Sequence, residues 1–201
     1  MTSFDDGKKS AMVFLSDLKD DKMICWNRVS LEEEEFYANF LDFQKDFESV
    51  FTKIELESKS TTDKEKLRQN TVFMIYVRYN YVISHLEIIN KLLKLMICKK
   101  PKLEYKKQTT LPQLISMICD SLGHSENWSE RTKETFHPKF KNAISHHAFL
   151  ITEDGITIYP DDIKKKETYD IFALQELNAH VQGLFSGFVE FANDEKTEHG
   201  M

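Results

Sequence analysis

The residues best suited to chemistry are Lys141-Asn142-Ala143-Ile144-Ser145-His146-His147, which run directly into Ala148-Phe149-Leu150-Ile151-Thr152. Asn142 and His146 are four residues apart and share one face if the stretch is helical. Lys141 stands five residues before the imidazole. Cleaving a phosphodiester without a metal needs a base for the 2′-hydroxyl proton, a cation for the phosphate charge and a donor to orient it. His146, Lys141 or Arg78, and Asn142 are the residues that can fill those roles. The plain alternative is helix-end chemistry, in which histidines near a C-terminus favour the dipole and an amide caps or bridges.

Other chemistries find little footing. His137, His146 and His147 have no cysteine or carboxylate at ligand spacing and nothing matches HExxH, so no metal is expected. A serine nucleophile elbow, a Walker loop and a GxGxxG are absent, and no small-molecule cofactor is implied. The 201 residues suffice for a full core, and only 6 glycines and 4 prolines with 30% charged residues favour long helices. A net charge of −6 opposes a dedicated nucleic-acid coat while leaving room for a local basic site. Cys25, Cys98 and Cys119 lack CxxC spacing and read as free thiols of a reducing, cytoplasmic setting. Asn127-Trp128-Ser129 matches a glycosylation acceptor, by chance if the chain is never secreted.

Positioning those residues falls to a series of helices. Residues 1–30 read as an arm docked on the body, which spans 31–195. Ser30 with Glu33 makes a capping box, and the acidic run Glu32–Glu35 suits a helix N-terminus. Behind it, Phe36, Phe40, Phe43, Phe47, Val50 and Ile54 are spaced 4-3-4-3-4, a seam for a neighbouring helix or a homodimer face. The polar run Glu55–Lys64 reads as a loop. A helix from about Lys64 to Cys98 follows, and its charged residues rule out a membrane span. Asn80, Ser84, Glu87, Lys91 and Lys94 fall within roughly 40° of one line, the solvent face. Arg78 and His85 lie roughly 150° away, toward Tyr, Val, Ile and Leu. There Arg78 either snorkels out at a helix crossing and His85 is a core histidine, or both line an internal polar site or subunit interface.

The lysine-rich Lys99–Lys107 is a phosphate-attracting patch or a solvated connector. A helix at Leu111–Leu122 ends at Gly123, with a polar loop through Trp128. The motif helix starts near Arg131 or restarts at Pro138. Its inner stripe is Phe136, Phe140, Ala143, Ile144 and His147, with Lys139, Asn142 and His146 on another face. Phe149–Thr152 and Ile156–Tyr159 flank Glu153-Asp154-Gly155, a hairpin signal. The last helix, about Thr168–Asn193, carries an Ala179/Gly183/Gly187 stripe for close approach of another helix, within the chain or across a dimer.

Lys141-Asn142-Ala143-Ile144-Ser145-His146 resembles the Arg-Asn-x-x-x-His motif of HEPN domains, small all-α bundles in which the motif lies late. The resemblance covers residues 31–193. It implies an all-α bundle and a homodimer, and the elements read along the chain predict about five helices with a β-hairpin before the C-terminal helix. Active members of that family are metal-independent ribonucleases of RNA processing or defence, so RNA is the implied partner. His146 matches the catalytic histidine and Asn142 the polar residue after the arginine. That arginine is Lys141 here, which keeps the charge but loses the planar fork that grips phosphate bidentately. Two readings therefore stand: a HEPN-like ribonuclease, with Arg78 and His85 as supporting polar groups, and a catalytically inactive dimeric helical interaction module.

Overall fold

A computed structural model describes residues 3–24, 31–98, 103–160 and 165–198. Among them the chain is an all-α helical bundle carrying a small antiparallel sheet before its last helix. The order is α1 (Ser3–Asp20), α2 (Leu31–Ser60), α3 (Lys64–Met96), α4 (Leu111–Leu122), α5 (Glu126–Thr135), α6 (Pro138–Ser145), β1 (Phe149–Thr152), β2 (Gly155–Ile158), β3 (Glu167–Tyr169) and α7 (Ile171–Glu198). Contacts divide it into two compact units, one of residues 1–29, 84–141 and 179–201, the other of residues 30–83 and 142–178. The helices α3, α6 and α7 each contribute residues to both.

Capping chemistry sets the boundaries. Asp63 accepts from the Glu65 amide at 2.9 Å, Ser125 from that of Trp128 at 3.3 Å and Asp170 from that of Ala173 at 2.8 Å, fixing the starts of α3, α5 and α7. Ser125 and Asp170 correct two expectations, because Trp128 is helical and β3 occupies residues assigned to the last helix. Gly123 ends α4 in the left-handed region at φ 65°. The Glu55–Lys64 segment is helical through Ser60, since Ser58 and Ser60 return hydroxyl bonds to their own helix at Ile54 and Glu57. Polar composition alone suggested a loop there. The Ser30 cap lies outside the described residues, as do Cys25 and Trp26.

In the first unit, the N-terminal arm is the helix α1, laid along the glycine stripe of α7. A Cβ on Gly183 would stand 2.0 Å from the Phe4 carbonyl oxygen, and one on Gly187 2.7 Å from Ala11 Cβ. The stripe is therefore filled from within the chain and is not a dimer face. Phe136 sits between Phe14 and Phe188, with ring centroids 5.2 and 6.4 Å away. Gly183→Ala gains helix propensity yet forces α1 off its track, so we expect a net loss of about 1–3 kcal/mol in urea unfolding. Faster proteolysis within residues 3–20 accompanies it; an unchanged or higher midpoint would contradict this packing.

In the same unit Ile24 bridges to Ile97 and the Cys98 amide donates to the Met23 carbonyl at 2.7 Å. Cys98 is disulfide-bonded, whereas Cys119 is free and buried. The expectation of three free thiols is corrected at Cys98.

In the second unit, α2 turns inward a stripe of Phe40, Gln44, Phe47, Phe51, Ile54 and Ser58, with Phe40 and Ile54 buried and the others half-buried. Phe47 meets Tyr81 of α3 at 4.5 Å between centroids, and Asn70 bonds Ser58 at 3.1 Å. The expected seam is thus covered only in part: Phe40 and Ile54 are buried, whereas Phe43 and Val50 are 41% and 45% exposed. From Phe40, Phe47 and Ile54 the inward line runs through the positions four residues on, Gln44, Phe51 and Ser58, and the positions three residues on turn outward.

The sheet runs β1-β2-β3. Its first turn is Glu153-Asp154, with Thr152 opposite Gly155 and Leu150 opposite Thr157. Gly155 adopts φ 147°, and a Cβ there would lie 2.1 Å from the Tyr169 carbonyl, so only glycine fits. Ile156 and Ile158 are fully buried, and Phe149 leans on Tyr79 with ring centroids 5.4 Å apart.

Candidate functional site

The motif helix α6 restarts at Pro138 and lasts two turns. It ends in a Schellman arrangement: the Ala148 amide reaches the Ala143 carbonyl at 2.8 Å and the His147 amide that of Ile144 at 3.1 Å. His147 takes the left-handed position at φ 54°, where glycine is commoner but histidine is tolerated. This corrects the inner-stripe assignment of His147. The helix stops before it, the stripe cannot be extrapolated, and the imidazole is exposed. Phe140 and Ala143 are buried as the stripe requires, each 1% exposed.

Asn142 and His146 are both exposed, one helical turn apart, with the His146 amide bonded to the Asn142 carbonyl at 3.0 Å. Lys141 differs. It lies about 100° round the helix from Asn142, is only 6% exposed, and holds its ammonium 2.5 Å from the Glu87 carboxylate of α3. Sequence reasoning placed Glu87 on the solvent face, and its side chain is indeed half exposed at 45%, but its carboxylate turns back to the lysine. Nothing in the spacing of residues 87 and 141 announced that pair.

The two supporting residues have separate surroundings. Arg78, in the second unit, is half-buried with its guanidinium carbon 4.1 Å from the centre of the Phe51 ring. Its Nε is buried without a hydrogen-bond partner. Burial pushes the guanidinium below its ordinary range, and the Glu55 carboxylate counteracts that. His85, in the first unit, is fully buried and meets Phe185 edge to face, ring centroids 5.7 Å apart.

A histidine pair went unnoticed in the sequence. His137 Nε2 lies 2.7 Å from His180 Nδ1, in the first unit, with the rings perpendicular. Burial and the neighbouring imidazole push His137 down to about 3. Burial also lowers His180, while Asp6 counteracts that. The left-handed φ of 47° at His137, between α5 and α6, aims the ring inward. The first unit also holds a groove of about 680 Å³ lined by residues of α1 and α5, including Asp17, Trp128 and Arg131. Trp128 donates its indole N–H to Asp17 at 2.9 Å and stacks near His124, which bonds Asp21 at 2.8 Å.

Among the described residues no three His, Cys, Asp or Glu side chains are grouped to share a metal ion. No helix among them is long and apolar enough to cross a membrane. Comparison with protein-family models, with curated proteins and with solved structures returned no match to this chain.

Proposed function

We propose that this chain is a non-cleaving, self-associating helical interaction module built on a HEPN-like plan. The observation that carries the reading is the state of Lys141. A phosphate-binding cation must meet solvent, and this ammonium is buried with its charge answered by Glu87. Removing it from that partner breaks a pair whose ammonium is buried and whose carboxylate is half-exposed, a cost that a phosphate contact at the surface does not offset. Asn142 and His146, the remaining motif groups, are then left without the lysine that the motif pairs with them.

Self-association is supported by apolar side chains at the surface of the second unit. Phe43 and Val50 form the outward half of the α2 seam, and Phe73 and Tyr76 of α3, each 48% exposed, stack with centroids 6.3 Å apart. Clustered exposed aromatics mark interaction surfaces more often than chance. Light scattering on the purified chain at micromolar concentration tests this: twice the chain mass is expected, and a monomer at every concentration would contradict it.

The ribonuclease reading keeps one observation in its favour, the shared exposure of Asn142 and His146. A cytoplasmic location and RNA as partner belong to that proposal. The disulfide at Cys98 leans the other way on location, since such bonds persist in oxidising compartments.

A further inference from the structure

The sheet has two edges, and they differ in character. β3, Glu167–Tyr169, carries a glutamate and follows exposed Lys165 and Lys166, charges of the kind that discourage edge pairing. β1, Phe149–Thr152, carries no charge, and Leu150 at its centre is 54% exposed. The Tyr159 amide bonds the Ala148 carbonyl at 2.9 Å, which places Ala148, Leu150 and Thr152 in hydrogen-bonded pairs with β2. Phe149 and Ile151 therefore turn their backbone N–H and C=O away from β2, along an edge that no described strand pairs. Beside this edge lies an apolar groove of about 560 Å³, lined by Val72, Phe73, Tyr76 and Ile151 with Arg68 and Gln69.

We propose that two copies of the chain associate by antiparallel pairing of β1 with β1 about a two-fold axis at Leu150, making one six-stranded sheet. The register follows from the edge chemistry. Outward-facing residues must pair with outward-facing residues, so Phe149 of one copy lies opposite Ile151 of the other, and Leu150 opposite Leu150. Antiparallel pairing also carries the His146–His147 flank of one copy toward the Glu153–Asp154 turn of the other. All four side chains are exposed in the single chain. Imidazole N–H groups and carboxylate acceptors thus gather at both ends. A two-fold interface requires the strand to carry both halves of every contact, and β1 does, acidic after its end and histidine before its start.

A four-residue strand falls short of the roughly 1,200 Å² that a stable interface buries. The half-exposed Phe73 and Tyr76 next to Ile151 supply apolar surface on the face toward which Phe149 and Ile151 point. Glu153 is held by Arg68 at 3.2 Å, an exposed pair that fixes the turn without removing its second carboxylate oxygen from reach.

This inference rests on the reading of the chain as self-associating, and the test separates the two. Light scattering and sedimentation are run on the full chain, on Leu150→Lys and on Leu56→Lys, at a leucine 61% exposed outside the proposed surfaces. The wild type and Leu56→Lys are expected to dimerise, and Leu150→Lys to raise the dimer dissociation constant at least tenfold with an unchanged circular dichroism spectrum. Leu150→Cys supplies a second readout, because a residue opposite itself across antiparallel strands has Cβ atoms about 4.5–5.5 Å apart. Mild oxidation converts it to a covalent dimer. A monomeric wild type would end the self-association reading itself. A dimer that Leu150→Lys leaves intact, or a Leu150→Cys that does not cross-link, overturns the β1 interface and leaves that reading standing.

Discussion

Lowering the pH from 7 to 3 removes on the order of 4 kcal/mol of folding stability through the coupled His137–His180 pair, a large part of a typical domain's margin. The folded chain holds the His137 imidazole at about 3, because it is buried against His180. The unfolded chain protonates it near its ordinary value of about 6.5. A group that is harder to protonate when folded favours unfolding wherever the unfolded chain binds the proton. The loss therefore begins as pH falls through about 6.5 and stops growing below about 3. His180 adds in the same direction, moderated by Asp6. Urea unfolding across that range measures the slope, and His137→Asn isolates its origin. Asparagine tolerates the left-handed backbone at residue 137 and does not titrate. The variant is expected to start about 1 kcal/mol less stable from the lost ring–ring bond, then to lose far less on acidification. Parallel pH profiles for the two proteins would contradict the assignment.

Glu87→Ala destabilises the fold by about 1–3 kcal/mol, out of proportion to a half-exposed glutamate. Breaking a buried ion pair by removing one partner strands the other charge, and here the stranded group is the nearly inaccessible Lys141. The half exposure of Glu87 keeps the figure below the values of fully buried pairs. Lys141→Met changes stability by less than about 1 kcal/mol, since it removes the charge and keeps the length. A double-mutant cycle in urea reads the coupling directly. A coupling energy indistinguishable from zero would show that Lys141 is not committed to Glu87, and would return it to the candidate site.

Much of the fold was legible because it rests on local signals. The Lys64 start of α3, the Leu111–Leu122 helix with its glycine end, the Pro138 restart and the Glu153-Asp154-Gly155 turn each follow from a cap, a proline or a glycine. The misreadings share a cause. The Glu55–Ser60 turns of α2 and the helix around Trp128 are polar, and composition says loop where capping and side-chain bonds say helix. β3 is three residues long, too short for alternation to register. The candidate site was legible only along its own helix: the Asn142–His146 spacing follows from helical geometry. The Glu87–Lys141 and His137–His180 pairs join residues far apart in sequence, and no local pattern encodes them. His147 shows the limit within one turn, since a helix that ends at Ser145 voids the periodicity beyond it.

The most direct test of the central claim is incubation of the purified wild-type chain with structured RNA in EDTA, beside His146→Ala. With Lys141 buried against Glu87, neither protein is expected to cleave above the buffer background. Metal-independent cleavage by the wild type that His146→Ala abolishes would contradict the account and assign the chain to the ribonucleases.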